Sequence, residues 1–527
     1  MSETQSERDL TVDTAFGPVR GEPAGDVDVW KGVRFAAPPT GEWRWRHARE
    51  PEAHTEVHDA TSFGAVCPQP TMPIIDLGAG VRLDEDCLFL NVFSPGGAAA
   101  RGDKRPVMVW VHGGAYVGGA GSQPLYDGSS LVRRSVASDV PVVIVTVNYR
   151  QGAFGFADLT SLSSGSTTYD ANCGLSDVLA ALRWVQGNIE CFGGDPGNVT
   201  LFGESAGGGV VTTLLASPAA KGLIHKAIAQ SSPATSVYDH ARAETNATLL
   251  LSCLGFGKTN DGGSLLRHVD QRRLVSATTA VFNDVPVRYP GVLGFAPVID
   301  GDLIPEHPVD AFRSGDVLDV PLMIGTNRDE TSMFKWMKAP LMPVTQNQVD
   351  AMFEMIAQEQ PELVIPEPDV IDTAYDGLKG TAKSMGIARD LGFRMPAVWI
   401  AEAQSRRAPV HLYRFDWATP LFRAIGIGAT HATELPYIWG NPPSTRRDIS
   451  YAFGGKRAGA KVGARMQERW VRFAATGDPS TEHSDATWEP YTSRDQHSLL
   501  IGGRDTAVTG LDREILQAWG SQVLSFR

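Results

Sequence analysis

The sequence predicts an α/β fold, in which a mostly parallel central sheet is flanked by helices. Strand-length apolar runs alternate with helical stretches, and several runs are uninterrupted, as in strands buried on both faces. Helical periodicity is clearest in Ser176–Ile189, whose apolar side chains fall on one face. In such folds catalytic groups lie on loops at the carboxyl ends of strands. The strand-like runs are Pro106–Val111, Pro141–Tyr149, Val199–Phe202, Ala227–Gln230, Pro321–Ile324 and Val410–Phe415.

The 527 residues are predicted to form one large domain that spans 1–527. No composition shift marks a linker, and no internal repeat is present. Two segments, about 239–288 and 339–390, lack long strand signals. They are predicted to be mainly helical or irregular insertions that cover the active site.

Composition and charge exclude several classes of function. Hydrophobic residues make up 42% and charged residues 20% of the chain, as in a soluble enzyme with a large core. The net charge of -13 argues against nucleic acid as a partner. No apolar run reaches the roughly 18 residues of a membrane helix, and the polar amino terminus lacks a secretory signal. The sequence therefore predicts a cytoplasmic protein and leaves open whether it is a monomer or a dimer.

The five cysteines favour free thiols over a metal or redox centre. They are odd in number and show no C-x-x-C spacing. Most are expected to be buried, and neither a metal nor a cofactor is predicted. The cysteines are Cys67, Cys87, Cys173, Cys191 and Cys253.

The most informative stretch of the chain is Gly203–Gly207, which reads G-E-S-A-G. It follows the apolar run Asn198–Phe202 and precedes the small and apolar residues Gly208–Ser217, so it lies between a predicted strand and a predicted helix. A serine on such a turn has a strained backbone and an exposed hydroxyl, and the flanking glycines allow close backbone approach. Ser205 is therefore the candidate nucleophile. Because the pattern also arises in ordinary glycine-rich turns, other catalytic groups must support it.

A serine nucleophile needs a histidine base and an acid that fixes the tautomer of that histidine. In this architecture the chain order is serine, acid, histidine. His431 is the most distinctive candidate because it lies in the glycine-rich loop 426–437. The acid stays open on chemistry alone, since Asp329 and Glu330 both follow a predicted strand. The competing histidines beyond Ser205 are His225, His240, His268, His307, His411, His483 and His497.

The third requirement is a set of backbone N–H groups for the charge of the tetrahedral intermediate. Segment Trp110–Tyr116 follows a predicted strand and resembles the H-G-G-G type of oxyanion loop. Gly114 and Ala115 are its predicted donors, and Ala206, which follows the nucleophile, supplies a third. His112 belongs to this loop and precedes the serine, so a structural role is predicted for it.

Further motifs extend over nearly the whole chain. They are Glu85–Val92, Val109–Tyr116, Val147–Arg150, Phe192–Pro196, Pro297–Gly301, Gly325–Glu330, His431–Gly440 and Phe473–Pro479. With the turn at Ser205, they resemble the type-B carboxylesterases, an α/β-hydrolase family that includes bacterial para-nitrobenzyl esterases, mammalian carboxylesterases and cholinesterases. The resemblance implies an α/β-hydrolase fold.

The resemblance also implies roles for individual residues. The acid of this family is a glutamate that matches Glu330, which leaves Asp329 as its neighbour, and the family's histidine matches His431. Supporting roles beside these groups are implied for Glu204, Ser231 and Glu434.

Departures from the family narrow the expected substrate. In cholinesterases the loop between the cysteines matching Cys67 and Cys87 is longer and carries a tryptophan that binds quaternary ammonium. Here the loop has no tryptophan, so a choline-ester specialist is not expected. Family context suggests a disulfide between these cysteines, which a reducing cytosol would oppose.

The acyl side of the pocket is expected to be roomy, because Gly291–Leu293 stand where family members can carry aromatic residues. The substrate pocket is predicted to include Gly291, Leu293, Met333 and Phe334.

The predicted function is that of a serine carboxylesterase, which hydrolyses carboxylic esters through an acyl-enzyme intermediate. Broad specificity for short- to medium-chain acyl or aryl esters is expected, with a small-molecule ester as the partner. One alternative is a carbamate or amide hydrolase of the same family, which uses the same acyl chemistry. Another is a non-catalytic adhesion homologue, but such relatives usually lose the serine or the histidine.

Overall fold

The strands of the protein form two sheets. The structure is a computed structural model and describes residues 9–165, 167–256, 265–440, 449–481, 486–520 and 522–526. In chain order the strands are β1 Thr11–Thr14, β2 Gly17–Arg20, β3 Glu22–Ala24, β4 Val27–Arg34, β5 His58–Asp59, β6 Phe89–Pro95, β7 Arg105–Val111, β8 Val143–Val147, β9 Gly194–Glu204, β10 Lys226–Gln230, β11 Leu322–Asn327, β12 Val410–Phe415, β13 His497–Ile501 and β14 Asp505–Thr509.

The large sheet has eleven strands in the order β14-β13-β12-β11-β10-β9-β7-β8-β6-β4-β3. From β13 to β8 every neighbouring pair is parallel. The edges are antiparallel, with β14 on one side and β6, β4 and β3 on the other. Strands β1, β2 and β5 form a separate three-stranded sheet.

This topology confirms the predicted α/β fold, and the six predicted runs correspond to β7–β12. Strand β9 begins earlier than predicted because its first residue, Gly194, pairs with Arg105 of β7. The antiparallel edge was not predicted, because β3 contains Glu22 and Pro23 rather than an apolar run.

Helices connect the strands and cover both faces of the large sheet. Their bounds are Ala98–Arg101, Ser129–Ala137, Gly152–Gly155, Cys173–Asn188, Ala206–Leu215, His240–Cys253, Gln271–Arg288, Pro308–Ser314, Ser332–Trp336, Gln346–Glu359, Pro368–Ala374, Thr381–Arg389, Met395–Gln404, Pro420–Ala424, Leu435–Trp439, Lys456–Thr476 and Arg513–Trp519. A turn of π-helix, Asp390–Arg394, joins two of them.

The core lies on both faces of the sheet, which explains the uninterrupted apolar runs. In β7, Val107, Val109 and Val111 belong to the hydrophobic cluster on one face. The alternate residues Met108 and Trp110 belong to the cluster on the other face. Because successive side chains of a strand point to opposite faces, a strand covered on both sides must be apolar throughout.

The two segments predicted as insertions carry five of these helices. Met352, Ile356 and Ala388 of segment 339–390 line the large cavity that contains Ser205. In segment 239–288, the Arg242 guanidinium lies over the ring of Phe526, another residue of the cavity wall. Both segments therefore lie against the cavity or its wall.

The cysteines are free thiols, and three of the five are buried. Cys67 and Cys87 lie close together, and a hydrogen bond to Cys67 together with burial raises the pKa of Cys87. Of the helices in the described ranges, none has the length and apolar character needed to cross a membrane.

Candidate active site

Ser205 lies on the turn between β9 and the helix Ala206–Leu215. Its φ is 55° and its ψ is -125°, a strained conformation for a residue with a side chain. Backbone hydrogen bonds hold it there: its N–H donates to the Gln230 carbonyl at 2.9 Å, and its carbonyl accepts from the Gly209 N–H at 2.8 Å. The turn is thus fixed to the neighbouring strand β10.

The glycines of this motif are required by close backbone approach. A Cβ on Gly207 would lie 2.0 Å from the Val111 carbonyl oxygen, and one on Gly203 would lie 2.6 Å from the Gly207 carbonyl carbon. Either contact is far below van der Waals distance. The turn can therefore pack against the end of β7 only with glycine at both positions.

Ser205, His431 and Glu330 form a continuous hydrogen-bonded chain. The Nε2 atom of His431 lies 2.8 Å from the Ser205 Oγ, and its Nδ1 lies 2.7 Å from the Glu330 Oε2. With the proton on Nδ1, His431 donates to Glu330 and its Nε2 accepts from the serine hydroxyl. This arrangement can remove the serine proton during attack on a carbonyl.

The Glu330 carboxylate is held by two further donors. The Asn327 N–H donates to its Oε1 at 2.7 Å, and the Ser231 hydroxyl donates to the same oxygen at 2.6 Å. Glu330 is fully buried, so these bonds replace the hydration that a buried carboxylate loses. They also leave Oε2 free to face the histidine.

Asp329, the other acid at this strand end, contacts the backbone instead of the imidazole. Its Oδ2 accepts from the Ala429 N–H at 2.9 Å, and its own N–H donates to the Ala429 carbonyl at 2.9 Å. A Cβ on Gly428 would lie 2.1 Å from that Oδ2. Asp329 thus anchors the loop that carries His431.

Glu434 lies at the centre of a buried polar network beneath the triad. Asn327 Nδ2 donates to one of its oxygens at 2.6 Å, and Gln230 Nε2 donates to the other at 3.2 Å. The Trp470 indole in turn donates to Gln230 Oε1 at 3.0 Å. Burial raises the pKa of Glu434 even though the Asn327 hydrogen bond acts to lower it.

Glu204 lies directly against the histidine. Its Oε1 is 3.3 Å from His431 Nε2. Burial raises the pKa of Glu204 to about 8. Burial also lowers the pKa of His431, but the charges of Glu204 and Glu330 outweigh it and raise this pKa to about 9. Since each group responds to the charge of the other, they titrate as a coupled unit.

Replacing Glu204 by glutamine is expected to move the acidic limb of the pH profile of kcat/KM to lower pH. That limb reports the pKa of the base, which must be neutral to act. Glu204 as an anion raises the pKa of His431, so removing the charge lowers it. Glu244, exposed on the helix His240–Cys253, provides the matched control Glu244→Gln, which should leave the limb in place. An unshifted or upward-shifted limb in Glu204→Gln would contradict the coupling.

The loop after β7 brings backbone N–H groups to the nucleophile. A Cβ on Gly113 would lie 3.0 Å from the Ser205 Cβ, so the two backbones are in close contact. Gly114 and Ala115 have φ values of 121° and 54°. Within the described ranges, their N–H groups donate to no backbone carbonyl. Ala206 begins a helix, and a first helical N–H has no partner within its helix.

His112 is buried beneath this loop and does not reach the triad. Its Nδ1 lies 2.9 Å from the Gly113 carbonyl, and the Tyr149 hydroxyl donates to its backbone carbonyl at 2.7 Å. Burial lowers its pKa to about 4. His112 is therefore a neutral packing residue, in line with the structural role expected from the sequence.

A cavity of about 880 Å³ contains Ser205, and all four residues predicted for the pocket line it: Gly291, Leu293, Met333 and Phe334. Phe393 was not predicted from the sequence, and its ring centroid lies 5.0 Å from that of His431. Phe334 lies on the same imidazole at 5.3 Å. Phe393 is carried by the π-helical turn Asp390–Arg394, a local distortion that often occurs at functional sites.

Other residues of the site were also absent from the sequence-based predictions. Asn327 lies in the motif Gly325–Glu330, so its position next to the candidate acids could have indicated a role in the site. Gln230 contacts Glu434, and Trp470 contacts Gln230, only through tertiary packing, and no local sequence pattern identifies either residue. Among the described residues, no group of three or more His, Cys, Asp or Glu side chains is arranged to hold a metal ion.

Comparisons with known proteins agree with this geometry. The family model described as "Carboxylesterase family" matches residues 8–519. A para-nitrobenzyl esterase of Bacillus subtilis is 37% identical over 505 residues, which covers 94% of this chain and 95% of that protein. A phenmedipham hydrolase of Pseudarthrobacter oxydans is 30% identical over 508 residues, covering 93% of this chain and 96% of that protein.

Solved structures give the same result. A thermophilic PNB esterase has a TM-score of 0.83 and 35% identity, covering 97% of this chain and 100% of that one. A carboxylesterase of Geobacillus stearothermophilus has a TM-score of 0.82 and 32% identity, with the same coverage. The carbamate or amide hydrolase and the adhesion homologue are not favoured by these matches. The chain belongs to the carboxylesterase family and is a carboxylic ester hydrolase with the α/β-hydrolase fold.

Proposed function

We propose that Ser205, His431 and Glu330 are the catalytic triad of this esterase. The observation that carries the proposal is the hydrogen-bonded chain from the serine Oγ through both imidazole nitrogens to the Glu330 carboxylate. His431 takes the hydroxyl proton as Oγ attacks the ester carbonyl carbon. It then gives that proton to the leaving alcohol, and an acyl-enzyme remains.

Deacylation repeats these steps with water as the nucleophile. His431 takes a proton from water, the hydroxide attacks the acyl carbon, and Ser205 leaves with the proton while the carboxylic acid is released. In both acylation and deacylation, we assign stabilisation of the oxyanion to the N–H groups of Gly114, Ala115 and Ala206. The close contact of the preceding Gly113 with Ser205 supports this assignment, and so does the lack of a backbone carbonyl acceptor for these N–H groups among the described residues.

The supporting residues act through the triad. Ser231 is proposed to fix the Glu330 carboxylate through its hydrogen bond to Oε1. Glu434 would hold Asn327, which also donates to Glu330. Glu204 would tune the basicity of His431 by its charge. No step in this scheme calls for a metal or a cofactor.

The proposed substrates are short- to medium-chain acyl or aryl esters, accepted with broad specificity. The predicted substrate pocket, with Gly291, Leu293, Met333 and Phe334, is largely apolar and offers little hydrogen bonding to select one acyl group. Similar proteins include para-nitrobenzyl esterases, whose name agrees with esters that carry an aromatic ring on the alcohol part. We further propose that residues 1–527 form a single domain with insertions at about 239–288 and 339–390, and that the protein is cytoplasmic.

A series of para-nitrophenyl esters tests this proposal. Turnover is expected from acetate through medium-chain acyl groups and should decrease once the acyl chain exceeds the cavity. A serine-directed organophosphate should abolish activity at one equivalent per protein and label Ser205. Failure of the folded protein both to turn over any ester and to be labelled would refute the proposed mechanism.

A further inference from the structure

The imidazole of His431 contacts two phenylalanine rings as well as its hydrogen-bond partners. The ring centroid of Phe393 lies 5.0 Å from that of the imidazole, with 37° between the ring planes. The centroid of Phe334 lies 5.3 Å away, with 43° between the planes. Both separations are in the range of attractive aromatic pairs. Phe334 comes four residues after Glu330, whereas Phe393 comes from a distant helix, so its position depends on how that helix is built.

Phe393 lies on the π-helical turn that interrupts this helix. The Met395 N–H donates to the Asp390 carbonyl, five residues earlier rather than the four of an α-helix. Pro396 accounts for the irregularity. It has no N–H for the Gly392 carbonyl, and its ring would clash with that carbonyl in a regular α-helix. The sequence therefore imposes a widened turn at the place where Phe393 is carried.

The first residue of this turn is anchored by a buried ion pair. Asp390 is fully buried, and the Arg389 guanidinium donates to both of its carboxylate oxygens, at 2.7 and 2.8 Å. The Tyr375 hydroxyl also donates to this carboxylate, at 2.8 Å. Breaking such a buried, charge-assisted arrangement is costly, so the start of the turn has a fixed position.

The last residue of the turn is anchored in the same way. Arg394 is 3% exposed, and its Nε and Nη2 donate to the two Asp512 oxygens at 2.8 and 2.7 Å. Its Nη1 donates to the Tyr413 carbonyl at 2.9 Å, and Tyr413 belongs to β12 of the large sheet. Because Phe393 directly precedes Arg394, the sheet and the ion pair fix the backbone from which the phenyl ring extends.

The residues between these two anchors border the cavity. Leu391, Gly392 and Phe393 all line it, as does His431. Phe393 is only 4% exposed, so its ring is packed on most sides. The turn therefore holds a packed ring, rather than a mobile one, against the imidazole.

The imidazole loses one of its two triad hydrogen bonds during catalysis. In the free enzyme its Nδ1 and Nε2 are bonded to Glu330 and Ser205. In the acyl-enzyme the Ser205 Oγ carries the acyl group and has no proton to donate to Nε2. The bond to Glu330 then orients the ring without its counterpart, although Nε2 must come within about 3 Å of the attacking water. A packed ring beside the imidazole restricts its tilt at this stage.

We propose that Phe393, held by the π-helical turn, is a positioning residue that keeps the His431 imidazole aligned for proton transfer. The inference rests on the proposed function, because it takes His431 as the base. The contact is attractive in both charge states: neutral imidazole forms an aromatic pair, and the imidazolium formed by proton transfer is attracted to the phenyl ring. Phe393 thus acts through His431 in both acylation and deacylation.

The test replaces Phe393 by aliphatic and by aromatic residues. Phe393→Leu and Phe393→Met keep an apolar side chain but lose the ring. They are expected to lower kcat for para-nitrophenyl acetate about tenfold, with KM within about twofold of wild type. The same factor is expected for the butyrate and the hexanoate, because the proton transfer does not depend on the acyl chain. Phe393→Tyr and Phe393→Trp keep a ring, and at least one of them should restore most of kcat.

Phe473→Leu is the matched control, because Phe473 also lies against a histidine. Its ring centroid is 6.2 Å from that of His411, which has no part in the proposed chemistry. Both rings are buried, and neither residue is among the described residues that line the cavity. The control should keep kcat and KM for all three esters. Thermal melting of each variant checks that it is folded.

Three outcomes would overturn the inference and leave the proposed function intact, provided that the wild type hydrolyses para-nitrophenyl acetate. The first is a wild-type kcat in the folded aliphatic variants, or an equal loss in Phe473→Leu. The second is a loss that appears in KM and changes with acyl chain length, which would make Phe393 a substrate contact. The third is a kcat in both aromatic variants no higher than in the aliphatic ones. Absence of ester turnover and of labelling at Ser205 in the folded wild type would instead refute the proposed function itself.

Discussion

The variant Ser205→Ala is expected to lower kcat for para-nitrophenyl acetate by about a millionfold, with KM little changed. The Oγ atom forms the covalent bond to the acyl group, so its loss removes the acyl-enzyme route altogether. The N–H groups assigned to the oxyanion stay in place. A small residual rate is therefore expected from substrate binding and from stabilisation of the negative charge. Stopped or continuous assays of nitrophenolate release, with active-site titration, measure the effect.

Ser217→Ala is the matched control for this experiment. Ser217 is buried just beyond the helix that follows the nucleophile, and within the described chain its hydroxyl has no hydrogen-bond partner. The control variant should therefore keep its activity and its labelling by an organophosphate. If a folded Ser205→Ala enzyme retained a tenth of wild-type activity, the assignment of Ser205 as the nucleophile would be refuted.

The fold could be predicted where burial imposes a simple pattern on the sequence. The strands at the centre of the sheet are covered on both faces, and this requires uninterrupted apolar runs such as that of β7. The edge strands β3 and β14 have exposed residues and mixed composition. Their pairing depends on neighbours that are distant in sequence, so no local sequence pattern predicts it.

The site was predictable to the extent that it depends on backbone conformation. The glycines around Ser205 are dictated by contacts of 2.0 to 2.6 Å that any Cβ would make, so the motif is visible in the sequence. The π-helical turn that brings Phe393 against His431 leaves no comparable signature. Trp470 reaches Gln230 from a distant helix, and only the folded structure brings them together.

The choice between Asp329 and Glu330 marks the limit of local reasoning. Both acids lie within three residues of the end of β11, and either could orient an imidazole. The resemblance to carboxylesterases favoured Glu330, and the structure places its Oε2 2.7 Å from His431 Nδ1. Asp329 accepts from the Ala429 N–H instead. Two adjacent residues thus point to different partners because the chain turns sharply after the strand.

Glu330→Gln is accordingly expected to lower kcat by about ten-thousandfold. Oε1 already accepts from Asn327 and Ser231, so a glutamine there keeps its carbonyl oxygen toward those donors. Its NH₂ group then faces Nδ1, which must become an acceptor. The proton moves to Nε2, and the imidazole can no longer take the proton of Ser205. Both kcat, measured across the pH range, and the rate of organophosphate labelling should decrease together.

Asp329→Asn tests the same assignment from the adjacent position. An asparagine can still accept the Ala429 N–H through its carbonyl oxygen, so the loop that carries His431 stays anchored. Activity is therefore expected to remain within about tenfold of wild type, the range of one modified neutral hydrogen bond. If Asp329→Asn lost as much activity as Glu330→Gln, the position of the loop rather than the histidine tautomer would limit the rate. The assignment of Glu330 as the acid of the triad would then be unsupported. Different losses from two adjacent carboxylates would instead tie the larger loss to the bond at Nδ1, since both changes remove one negative charge from the same turn.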